Sequence, residues 1–231
     1  MRKILIGLSA GAALLFGTVS TFAADGLGVG VALSAAGIST SGSETETGSQ
    51  SAETTSASVS NRALIGSVFA EYTKGLFTVG IDYVPFDADV SNATHTRTDV
   101  ETSTTASQTT ETTTSRTQTA AAEITGHTTA YIEVGNNVYL KAGYAQVTVN
   151  TQESLGTGSS YGNADLNGTL VGAGIRGGGD SGLYYKLEGT YTDYDTLNLT
   201  STVARTGVTT NNTIKADLDV TQFKLGLGYR F

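Results

Sequence analysis

Two histidines, His95 and His127, are the only side chains of the 231-residue chain with an ordinary pKa near neutrality, and serines are abundant around them. A Ser–His–acid site needs a hydroxyl, an imidazole and an orienting carboxylate in one place. His127 opens a strand pattern, with Glu123 and Asp82 as the nearest candidate acids, whereas His95 lies in a Thr-rich polar run. No flanking motif marks one serine among the many, so no catalytic residue is assigned and the chain is not read as an enzyme. Cysteine is absent, which excludes a thiolate nucleophile, a disulfide framework and a thiolate metal site. The loop carboxylates lack the spacing of a calcium loop, so neither metal nor cofactor is expected.

The charges with informative spacing are Glu71, Asp82, Glu133, Lys141, Arg176, Lys186, Glu188, Lys224 and Arg230. Each falls within a run that alternates apolar and small or polar residues, and each falls on the less apolar face. Period two means a strand. One proline, 29 glycines and abundant Thr, Val and Tyr agree with an all-β chain. Three tight turns are predicted, at Thr73-Lys74-Gly75, at Gly135-Asn136-Asn137 and in the Gly-rich run 177–182. Four longer polar segments, about 39–60, 86–125, 152–163 and 200–212, are read as loops. Seven connections give eight strands, with short turns at one end and long loops at the other.

The faces follow residue by residue. Leu27, Val29, Val31 and Leu33 share one face, as do Leu64, Val68, Ala70 and Tyr72, which turns Glu71 to the other side along with Ile65 and Phe69. Phe77, Val79, Ile81 and Tyr83 leave Asp82 opposite. Ala130, Ile132 and Val134 oppose Tyr131 and Glu133, and Val138, Leu140, Ala142 and Tyr144 oppose Tyr139 and Lys141. Val171, Ala173 and Ile175 oppose Arg176, and Leu183, Tyr185, Leu187 and Tyr191 oppose Tyr184, Lys186 and Glu188. Alternation alone does not say whether the apolar face meets a protein core or lipid.

The two ends decide that reading. Arg2 and Lys3, an apolar stretch over 4–16 and Thr21-Phe22-Ala23 form a secretory signal peptide over 1–23, leaving 24–231 as the mature domain. Cleavage removes two basic residues and takes the net charge from −8 to −10. That acidic balance argues against nucleic acid, whose phosphates call for Lys and Arg. At the other end, Leu225, Leu227, Tyr229 and Phe231 alternate with Lys224, Gly226, Gly228 and Arg230. Lys224, Gly226, Tyr229 and Phe231 resemble, position by position, the C-terminal assembly signal of bacterial outer-membrane β-barrels. The whole mature chain resembles the small eight-stranded outer-membrane proteins, the OmpA-transmembrane-domain and OmpX-like group. The resemblance implies an all-β, eight-stranded, antiparallel up-and-down transmembrane barrel in a Gram-negative outer membrane, with both termini periplasmic. It implies lipid, lipopolysaccharide and the barrel-assembly machinery as partners. The chain stops at Phe231 without a peptidoglycan-binding domain, so a cell-wall anchoring role is not carried over.

On that frame the inward charges are expected to pair as a plug, with large side chains on some strands filling against Gly and Ala on others. The function expected is structural or cell-surface interaction, through acidic, Thr-rich extracellular loops and a ligand the sequence does not name. A narrow channel for ions or small solutes is the alternative, and a lipid-modifying enzyme is a third class. The 96–119 run is low in complexity, a composition compatible with disorder. Thr is β-branched, however, and neither Gly nor Pro interrupts the run, so the preferred reading is a ribbon continuing strands 3 and 4 outward. A similar extension is expected for strands 7 and 8, turning near Arg205-Thr206-Gly207.

Overall fold

Short and long hairpins alternate along the chain, and the sheet they build closes on itself. The computed structural model describes residues 25–47, 52–105, 108–154, 160–179, 181–202 and 212–231. The leader 1–23 and the turn near Arg205 lie outside the described residues. Ten strand segments are present: β1 Gly26–Thr47, β2 Ala52–Lys74, β3 Phe77–Tyr83, β4 Ala88–Thr105, β5 Gln108–Gly135, β6 Val138–Ser154, β7 Ala164–Gly178, β8 Leu183–Tyr194, β9 Leu197–Thr200 and β10 Thr213–Arg230. They occupy eight positions in the wall. β4 carries on from β3 and pairs with β5, and β9 carries on from β8 and pairs with β10. The order is β1-β2-β3-β5-β6-β7-β8-β10, and β10 pairs back onto β1 over Gly28↔Arg230 to Thr45↔Thr213. All pairings are antiparallel, so this is the expected eight-stranded up-and-down transmembrane barrel. Closure satisfies the backbone groups that an open sheet would leave bare in lipid.

The tight turns fall where Gly and Asn predict them. Gly75 has φ +59°, and its amide donates to Asp25 Oδ1 at 2.7 Å. The first long segment differs from the expectation of a loop. β1 and β2 stay paired as far as Thr47↔Ala52, so 39–60 is almost entirely strand. β4 and β5 run as the two-stranded ribbon preferred for the Thr-rich run, from Ala88↔Ile124 to Thr105↔Gln108. Ser and Thr make these segments look like loops by polarity, yet branched Thr on a pleat is a good strand former once a partner strand lies alongside.

A change of chemistry halfway up the wall explains the extension. On β6 the inner face reads Tyr139 and Lys141, then Ala145, Val147 and Val149 in unbroken register. The outer face of the same strand reads Leu140, Ala142 and Tyr144, then Gln146, Thr148 and Asn150. β10 does the same: Lys224 and Gln222 point inward first, then Val220 and Leu218, while Leu225 and Phe223 outside give way to Thr221, Asp219 and Asp217. Below the change the outside is apolar and the inside charged, as lipid requires. Above it, water surrounds the wall and the hydrophobic effect turns the apolar side chains inward. Ile38, Ile124, Val147, Leu166, Tyr194 and Val220 belong to the resulting core. The level of inversion marks one edge of the apolar belt, and Tyr83, Tyr144 and Tyr191 stand exposed beside it as an aromatic girdle.

Candidate functional site

The polar lower lumen is the candidate site, and strand register builds it. Glu71 on β2, Glu133 on β5, Lys141 on β6, Arg176 on β7, and Lys186 and Glu188 on β8 all occupy inward positions, and all are buried. Glu133, fully enclosed, meets Arg176 Nη2 at 2.8 Å, Lys186 Nζ at 2.7 Å and Lys141 Nζ at 3.6 Å. Glu188 meets Lys141 at 3.0 Å and Lys186 at 3.1 Å. Glu71 meets Lys186 at 2.8 Å and Arg230 at 3.1 Å. Asp82 takes Lys224 at 2.8 Å and a hydroxyl bond from Ser67 at 3.2 Å. The nine charges anticipated from sequence therefore lie together in one stretch of lumen. Lys186 touches three of the four acids and is the hub.

Tyrosines tie the ions to the wall. Tyr131 Oη donates to Glu71 at 3.1 Å, and Tyr139 Oη donates to Glu188 at 2.7 Å. Their rings also carry cations: Lys141 Nζ sits 3.7 Å from the Tyr131 centroid and Arg176 lies 4.2 Å from that of Tyr139. Glycines on facing strands give these rings their room. A methyl at Gly228 would come within 2.5 Å of the Tyr184 ring, and one at Gly80 equally close to Tyr131. Thr78 and Thr129 add inward hydroxyls that charge-spotting passes over; Thr78 Oγ1 accepts from Arg176 at 3.0 Å. Their inward parity was the available signal.

The space left among Asp82, Lys141, Lys186, Glu188 and Lys224 is about 10 Å³, which is roughly what one water needs. Above it the apolar core fills the lumen. That second layer is not assigned from the sequence, although Ala145-x-Val147-x-Val149 lies outside the four predicted loops and keeps the alternation of Tyr139 and Lys141.

The terminal motif divides by face. Lys224 and Gly226 point into the lumen, and Gly226 lies under Phe69. Tyr229 and Phe231 point outward, with their rings packed edge to face at 5.1 Å. The Phe231 amide donates to Leu27 O at 2.9 Å, so the last residue closes the seam between the first and last strands.

His127 points into the barrel, where Nε2 and Thr129 Oγ1 are 3.4 Å apart and the ring meets Tyr194 edge-on at 6.4 Å. His95 lies on the β4–β5 ribbon, opposite Gln118. Among the described residues no cluster of His, Cys, Asp and Glu has the makings of a metal site.

No protein-family model matches the chain, and no curated protein matches its sequence. Solved structures overlap it loosely. The outer membrane protein OprG from Pseudomonas aeruginosa aligns over 87% of this chain and 97% of its own, at 9% identity and a TM-score of 0.47. The outer membrane protease OmpT from Escherichia coli aligns over 91% and 98%, at 11% identity and 0.41. Ail, the attachment invasion locus protein of Yersinia pestis, aligns over 90% and 100%, at 13% identity and 0.34. These overlaps say nothing about activity, and the assignment of a closed eight-stranded barrel rests on the ring of hydrogen bonds described above.

Proposed function

We propose that the chain is a sealed outer-membrane barrel, inserted with both termini in the periplasm, that works through the surface it raises outside the cell and has no chemistry of its own. The observation that carries this reading is the double plug. The charged layer in the membrane is paired and close-packed, and the apolar layer above it leaves an ion nothing to coordinate it. The same apolar core stiffens the outward wall, which then serves as a platform for the β1–β2 and β4–β5 hairpins. The outer face of that platform carries Asp165, Asp193, Asp195, Asp217 and Asp219, and contact with lipopolysaccharide through bridging cations suits such a surface.

Purified protein in planar bilayers is expected to give no steady, salt-proportional single-channel current. Reproducible conductance, reduced by enlarging Gly226 or Gly228, would replace this reading with the narrow channel.

Biogenesis supplies a second test of the compartment. Tyr229 and Phe231 present an outward aromatic pair at the very end of the closing strand. Deleting Phe231 is expected to slow insertion by the barrel-assembly machinery and leave the chain to periplasmic proteases. Wild-type amounts of heat-modifiable, folded barrel in the deletion strain would refute the assembly-signal reading.

A further inference from the structure

The β4–β5 ribbon outgrows the wall that carries it. β5 pairs with β6 as far as Thr119↔Ser154, and with β4 as far as Thr105↔Gln108. From His95↔Gln118 onward, two strands run with no third strand paired to them among the described residues. A two-stranded ribbon in water is marginally stable by itself, and its outer edges present rows of amide and carbonyl groups that another strand can satisfy. The edge of β4 turned toward β2 is tied at its base, where Asn61 Nδ2 donates to Asp89 O at 2.9 Å, and it has no ladder partner among the described residues. The register of the ribbon adds a cost. Arg97 is paired directly opposite Arg116, a position at which like charges are unfavourable. A strand added to the β4 edge could bring an acid into that row.

β4 itself carries such acids, in an order that fits its own reverse. Positions 95, 97, 99 and 101 share one face of the pleat and read His, Arg, Asp, Glu. When a strand pairs antiparallel with a copy of itself about a two-fold axis, each residue meets one of its own parity. A pair centred on Thr98 sets Arg97 opposite Asp99 of the second copy and His95 opposite its Glu101, and the axis repeats both. Moving the centre by one residue sets Arg97 against Arg97, or Asp99 against Asp99. The other long bare edges lack this property. Glu111 and Arg116 on β5 differ in parity, as do Glu53 and Arg62 on β2, so a symmetric antiparallel pair never brings them opposite one another.

We propose that β4 is a homophilic docking edge, which pairs antiparallel with β4 of a second copy about Thr98 and so joins two membranes that face each other. The direction follows from the fold. β4 starts at Ala88, just past Tyr83 of the girdle, and runs to Thr105, away from the end of the barrel where the Phe231 amide bonds Leu27 O. Two barrels inserted alike in one membrane point their β4 strands the same way. Each residue would then lie level with its own copy, and the order of charges would gain nothing. Antiparallel β4 strands come from barrels that point at one another. Their union is a four-stranded sheet in the order β5-β4-β4-β5, with the second copy's Asp99 in the row of Arg116 and Arg97. This pairing rests on the surface-platform function proposed above and names the partner of that surface, a second copy of the chain on a neighbouring cell.

The test uses the full chain in the outer membrane of a host with truncated lipopolysaccharide and no adhesin of its own. Heat-modifiable migration shows that each variant is folded, and antibody staining of intact cells shows that it is displayed. Cells carrying the unaltered chain are expected to clump. Arg97→Glu alone and Asp99→Arg alone should each abolish clumping, because each sets like charges opposite. Mixing those two populations, coloured red and green, should restore it in two-coloured clumps, because the two changes then meet with opposite charge. The chain has no Cys, so introduced cysteines report the register. Oxidation of clumped cells should dimerise Thr98→Cys, and should dimerise Thr96→Cys only when it is mixed with Val100→Cys. A folded, displayed, unaltered chain that does not clump overturns the docking edge and leaves the sealed barrel standing. Steady current in planar bilayers overturns the sealed barrel whatever the cells do. Clumping indifferent to the charge changes, or not restored by mixing, overturns the Thr98 register. Dimers of Thr96→Cys by itself overturn the antiparallel pair in favour of parallel strands in one membrane.

Discussion

Glu133→Ala should lose about 3–5 kcal/mol of unfolding free energy in lipid, the scale of a buried ion pair left with one partner. Glu133 holds Arg176, Lys186 and Lys141 together, and its carboxylate is fully enclosed. Removing it leaves three cations crowded in one layer of the lumen, with Glu188 and Glu71 to share among them. The cost is desolvation without compensation. Asp87→Ala removes an exposed carboxylate on the outer rim and should change stability by less than about 0.5 kcal/mol. Urea unfolding of both variants in vesicles, followed by heat-modifiable migration, compares them. Equal stability would show that the lumen charges are solvated, and the sealed reading would fall with the plug.

Leu187→Arg should destabilise the barrel by roughly 2–4 kcal/mol, and Leu187→Ala by much less, because a cation at mid-depth on the lipid face has no partner. Leu187 is the middle one of the outward positions 183–191 on β8, and it pairs with Ile175 on one side and Leu225 on the other. Its neighbour Glu188 is buried in the lumen against Lys141 and Lys186. Spin labels at the two positions give a second check. A lipid-soluble quencher should reach a label at 187 and leave one at 188 untouched. The opposite result would mean that the strand register is inverted and every facing described for β8 is wrong.

The strand register was legible in the sequence because side chains on a pleat alternate between its two faces. Placing Glu71 inward fixes Leu64, Val68, Ala70 and Tyr72 outward, and they are. The same parity, carried along β6 and β10, contained the upper core as well, but it went unread. Val147 and Val149 sit among Thr, Gln and Asn, and composition averaged over such a stretch hides its alternation. Strand number was legible because Gly75, Gly135 and the 177–182 run mark the tight turns, and closure into a barrel follows from having to cover both edges. Partners across the lumen were not legible. Lys186 and Glu71 are 115 residues apart, and Arg230 and Glu71 are 159 apart. Only the shear and diameter of the closed wall decide which inward charges meet. Pro85 announces an interruption in a strand, but that β2 pairs with β3 no further than Val68 is decided by the closed wall. The sequence determined which face each residue takes, because that depends on one strand and its two surroundings. The tertiary structure decided the pairings, because those depend on how eight strands close around a common axis.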